Sequence, residues 1–72
     1  MTRDELIRRL RRLARQRGLA FDVIAARGEG GHWTVRFGKV SLPIPQAKRG
    51  DIAIGTLHRI LRDFGLRRED LE

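Results

Sequence analysis

At 72 residues the chain has the size of one domain, residues 1–72, near the lower end of what folds without metal or disulfide help, so function is expected on its surface rather than in a diverted core. The absence of cysteine excludes disulfides and cysteine-based zinc sites and fits a reducing compartment; no run approaches a membrane span, and Arg8, Arg9, Arg11 and Arg12 interrupt the apolar core a secretory leader would need, so a cytoplasmic protein is expected. The formal net charge of +7 points to a phosphate-bearing polymer, and 14 of the 16 basic residues are arginine, whose planar fork pairs bidentately with phosphate; because a GC-rich genome also enriches arginine, placement has to decide.

Thr2-Arg3-Asp4-Glu5 has the form of a capping box immediately before an apolar-periodic run, which predicts a helix start. Leu6, Ile7, Leu10, Leu13 and Ala14 recur on one face, Arg8, Arg11, Arg12 and Arg15 fall on the other, and Gly18 supplies the stop. Acidic residues in the first turn and Arg15 and Arg17 in the last suit the helix dipole, so the arginine stripe reads first as a solvated face.

From Leu19 to Arg27 the period changes to alternation, with Phe21, Val23 and Ala25 on one side, and predicts a strand. Gly28 to Gly31 form a connection, after which Trp33, Val35 and Phe37 share one face of a second strand and His32, Thr34 and Arg36 the other. Trp33 reads as core, because it alternates in step with Val35 and Phe37. Gly38-Lys39 fits a two-residue hairpin turn with glycine first, leading into Val40 to Ile44; Pro43 and Pro45 cannot donate to a ladder, so this third strand is expected at a sheet edge.

Gln46 to Ala53 reads as a loop exposing Lys48, Arg49 and Gly50. A second helix is expected from about Gly55 or Thr56 with Leu57, Ile60, Leu61 and Phe64 as its apolar face, His58, Arg59 and Arg62 opposite, and Gly65 as its stop; Leu66 and Leu71 pack a short terminal turn. The order helix, three strands, helix implies an α+β fold: a two-layer α-β-β-β-α domain in which both helices cover one face of a three-stranded antiparallel sheet and the other face stays open.

Gly30-Gly31-His32 after Arg27, Leu42-Pro43-Ile44, and the run Gly55-Thr56-Leu57-His58-Arg59-Ile60-Leu61-Arg62-Asp63-Phe64-Gly65-Leu66 together resemble the HicA toxins over most of the chain. The resemblance implies a fold similar to double-stranded-RNA-binding domains and a messenger-RNA endoribonuclease (mRNA interferase) with an essential histidine at position 32. It also implies a toxin-antitoxin pair, with a HicB-type antitoxin as partner and an oligomeric complex between the two. The chain departs from many family members at Trp33, at the short Gly38-Lys39 turn and at Pro45, where they carry a second histidine, a longer hairpin and a further histidine.

The chemistry is consistent on its own terms. RNA carries its own nucleophile, the 2′-hydroxyl, so cleavage needs a base for one proton, in-line geometry, and positive groups for the phosphorus oxygens; histidine suits the first task. Arginines and loop amides suit the last, so no metal or other cofactor is required. The nine acidic residues are scattered, and the two histidines lack metal-ligand spacing. The glycines lack the Lys-Ser or Lys-Thr of a nucleotide P-loop. His32 is the candidate general base or acid. Arg27, Gly30, Gly31, Arg36, Lys48 and Arg49 are candidates for holding RNA, with Arg59 and Arg62 as a rim and His58 as a surface residue or phosphate contact. The competing class is a non-catalytic RNA-binding module, or an inactive toxin relative, using the same basic face.

Overall fold

The computed structural model describes residues 1–25, 32–45 and 50–72. Helix α1 spans Arg3–Arg17, strands β1, β2 and β3 span Phe21–Ile24, Trp33–Phe37 and Val40–Ile44, helix α2 spans Ile54–Asp63, and a short 3-10 helix spans Arg68–Leu71.

α1 starts where its cap requires: Thr2 is extended, and its hydroxyl accepts the Glu5 N–H at 3.1 Å. The reciprocal half of the box is replaced, since the Glu5 carboxylate accepts from Arg9 at 2.7 Å, one turn on. At the other end Gly18 adopts φ 64, and the Leu19 N–H returns to the Ala14 carbonyl at 2.8 Å. The buried residues of the helix are Leu6, Ile7, Leu10, Leu13 and Ala14, the set that the periodicity selects.

The sheet has the order β1-β2-β3, antiparallel throughout, with Val23 opposite Val35 and Val35 opposite Leu42. Phe37 pairs with Val40 around Gly38-Lys39, and Gly38 has φ 64 while no described non-glycine residue has positive φ. That combination matches a hairpin turn needing positive φ at its first central residue alone. Because Gly38 donates to Ala20 at 2.8 Å, the ladder alternation directs the Val23 N–H to the free edge, where Asp22 Oδ1 accepts it at 2.9 Å. At the opposite edge, the same alternation turns Pro43 outward, where a missing N–H leaves no ladder bond unmade. Each edge therefore carries its own guard.

α2 begins at Ile54, slightly ahead of the expected start, because the Ala53 carbonyl already accepts the Leu57 N–H at 2.9 Å without any side-chain cap. Its approach is tied to the N-terminus: Ile52 N–H donates to the Met1 carbonyl at 2.8 Å, and the Met1 ammonium lies 3.2 Å from Asp51. Leu57, Ile60 and Leu61 join Phe64 in the core, Gly65 reverses the chain at φ 75, and Leu66 and Leu71 are buried beside α1, where Arg17 meets Asp70 at 3.2 Å.

Both helices close over the inner face of the sheet, whose Val35, Phe37 and Ile44 are buried among their apolar residues. No described polar or charged residue is buried in this core. Asp22, Ile24, Arg36, Ser41 and Pro43 are exposed on the face that no helix covers.

Candidate nucleic-acid interface

His32 immediately precedes β2 and is exposed. It shares strand parity with Thr34 and Arg36, so all three belong to the open face of the sheet. Their cross-strand neighbours follow from the register: Ile24 and Pro43 flank Thr34, and Asp22 and Ser41 flank Arg36. The open face is thus a polar central row with an aliphatic side chain at its β1 side, where Ile24 keeps 62% of its surface in solvent.

Arg36 is held by its own turn, its Nε donating to the Gly38 carbonyl at 3.1 Å and leaving the guanidinium tips for a ligand. Although Asp22 stands directly opposite, its carboxylate is engaged by the Val23 amide, and no ion pair joins the two. His32 and Arg36 are four positions apart, about 13 Å along the strand, so one phosphate group does not reach both backbones.

His32 makes no side-chain hydrogen bond to a described residue, so its position rests on the residue that follows it. Trp33 is half-buried at the margin of the core, and the Arg3 guanidinium lies 4.0 Å from its ring centroid. Arg3 Nε and Nη1 are buried without a hydrogen-bond partner among the described residues, so the ring face is their principal neighbour. Sequence patterning offers no sign of this pair, because it joins the first turn of α1 to the start of β2.

Arg59 and Arg62 are exposed on α2, whose apolar side faces the core, so they lie in the helical layer and not beside His32. His58 is on the same solvent side of α2. The structure therefore unites His32 with Arg36 and separates both from the α2 arginines. Arg27, Gly30 and Gly31, and with them Lys48 and Arg49, lie outside the described residues.

Among the described residues no three His, Cys, Asp or Glu side chains gather closely enough to hold a metal ion, and no helix is long and apolar enough to cross a membrane. No protein-family model, curated protein or solved structure matches the chain.

Proposed function

We propose that this protein is a cytoplasmic, metal-independent endoribonuclease that cleaves messenger RNA, the toxin of a HicA/HicB-type pair. The observation that carries the reading is His32: an exposed imidazole at the head of the central strand, in one row with Thr34 and Arg36 on the open face. An RNA strand lying along that row presents a 2′-hydroxyl to the imidazole. His32 takes the proton, the 2′-oxygen attacks the adjacent phosphorus, the bond to the 5′-oxygen breaks, and that oxygen leaves with a proton from solvent or a second acid. Charge developing on the non-bridging oxygens is met by amides of the Gly30-Gly31 segment and by Arg27, while Arg36, Lys48 and Arg49 hold flanking phosphates. No step draws on a metal, because the nucleophile belongs to the substrate.

The masking partner follows from the same face. Ile24 and Pro43 beside the polar row give an acidic antitoxin apolar surface to cover, and covering them buries His32. A second reading, RNA binding without cleavage, draws support from the location of His58 on the other layer, since no second imidazole shares the described open face to return a proton to the leaving oxygen.

Replacing His32 by alanine separates the two. Cleavage and growth inhibition are expected to disappear while the melting temperature stays within the experimental scatter, because an exposed side chain without a described partner contributes little to folding. Equal cleavage by variant and parent would remove the enzymatic reading; RNA binding by a parent that never cleaves would establish the second. Co-expression with the product of a neighbouring antitoxin gene is expected to give a complex inert toward RNA cleavage, with His32 inaccessible to imidazole-modifying reagent.

A further inference from the structure

Most of the net charge of this protein belongs to α1. α1 holds seven arginines against two carboxylates, a net +5 of the chain's +7, so everything outside that helix is close to neutral. Several of these arginines are engaged: Arg3 on Trp33, Arg9 with Glu5, Arg17 with Asp70, and Arg11 over the Phe21 ring at 5.6 Å. Arg8, Arg12 and Arg15 are exposed and make no ion pair among the described residues. Their spacing of four and three residues sets them in one stripe, about 10 Å long at 1.5 Å rise per residue. Beside the stripe a groove runs between α1 and the 3-10 helix, lined by Arg8, Arg9, Arg12, Leu71 and Glu72.

We propose that the outer face of α1 is a phosphodiester-backbone site that binds RNA independently of His32. A row of unpaired guanidiniums presents bidentate donors at intervals along a line, which is how a phosphate track is met. A protein partner fits less well. The exposed large apolar residues are Leu19, Ile24, Val40 and Ile54, none of them within α1, so the stripe offers no apolar anchor of the kind that centres a protein interface. Glu72 lines the groove together with Arg8, Arg9 and Arg12 and opposes phosphate there, which leaves Arg15 as the one residue of the stripe that does not border it.

α1 buries its apolar side against the inner face of the sheet, so the stripe and the histidine row lie on opposite layers of the domain. RNA bound along α1 is therefore a distal stretch of the substrate, or a second strand, and not the segment being cut. The inference shares RNA with the proposed function but stands without its catalytic step.

The test is fluorescence anisotropy with a labelled short 2′-O-methyl oligouridylate, which lacks the nucleophile and survives the assay. The variants are the triple Arg8→Gln, Arg12→Gln, Arg15→Gln; an equal removal of charge at the exposed Lys39, Arg67 and Arg68, which have no part in the stripe or the histidine row; the single Arg12→Glu; and His32→Ala. Glutamine matches arginine closely in helix propensity, and circular dichroism verifies folding. The α1 triple is expected to lose about tenfold or more in affinity at low salt. Three single-strand phosphate contacts at about 0.7 each lower the slope of log affinity against log salt by about 2. Arg12→Glu moves the same way, whereas His32→Ala binds as the parent does. Parent affinity and slope in the α1 triple overturn the site, and so do equal losses in both triples, which signify diffuse attraction to net charge. If His32→Ala cleaves ordinary RNA normally, the catalytic reading fails while this one stands.

Discussion

The contact between Arg3 and Trp33 is the tie that fixes the start of β2, and its strength is open to direct measurement. Both residues are half-buried, which puts the interaction between the roughly 0.5–1 kcal/mol of exposed cation–π pairs and the ~2 kcal/mol of desolvated ones. A coupling of about 1 kcal/mol is expected. Against it stands the desolvation of Arg3 Nε and Nη1, which have no hydrogen-bond partner among the described residues and cost free energy that a methionine at this position avoids. The single variant Arg3→Met is therefore expected to be close to neutral, and only a double-mutant cycle with Trp33→Leu isolates the pair. Thermal and urea unfolding of the four proteins gives the coupling; on a domain of this size about 1 kcal/mol moves the melting temperature by about 4–8 °C. Additive effects, or a coupling of opposite sign, would show that the guanidinium only rests on the ring. Under the proposed function Trp33, next to His32 in the chain, is a positioning residue for it, so Trp33→Leu is expected to lower the cleavage rate constant with little change in KM, and Trp33→Phe to restore most of it.

Cleavage is expected to persist in excess chelator, since among the described residues no carboxylate cluster is available to hold magnesium; loss on chelation with recovery by magnesium would demand a metal site. Gly38→Ala is expected to destabilise by about 1–2 kcal/mol in urea melts, through its φ of 64 alone, because the added Cβ meets nothing closer than Leu19 Cδ1 at 3.9 Å. Parent stability would mean that the turn relaxes to another type. Thr2→Ala is expected to cost about 1 kcal/mol, given the hydroxyl's bond to the Glu5 amide.

The helices and the sheet were legible because each carries its period plainly. The buried faces of α1 and α2 coincide with the apolar sets read from spacing, and Pro43 marked its strand as an edge by the donor it lacks. Boundaries failed where no side chain signals them: α2 has Ala53 at its cap, so nothing in the sequence distinguished Ile54 from Gly55 as the first helical residue. Half of the capping box at Thr2 was lost to competition, since Glu5 has an arginine one turn ahead and a salt bridge to it. At the site, parity alone put His32, Thr34 and Arg36 on one face. Arg59 and Arg62 were expected at the rim of the same surface, although two-layer packing sends the polar side of α2 the other way. The Arg3–Trp33 pair depends on how the first turn of α1 meets β2, which no local pattern encodes.

The separation of charge from histidine has a physical consequence for how such a small domain meets a polyanion. With a net +5 on α1 and a net +2 over the rest of the chain, α1 contributes most of the attraction that a polyanion would feel. Among the described residues of the open face, Asp22 stands opposite Arg36 and offsets its charge. If the two proposals hold, encounter and cutting are governed by different surfaces: capture by the arginine stripe is expected to respond to salt, and cutting to the geometry that Trp33 and the Gly38 turn impose on the histidine row. The exposed Ile24 gives the open face an apolar contact that the arginine stripe lacks, which favours it for a protein partner. Capture and inhibition can thus occupy opposite layers without competing for the same residues.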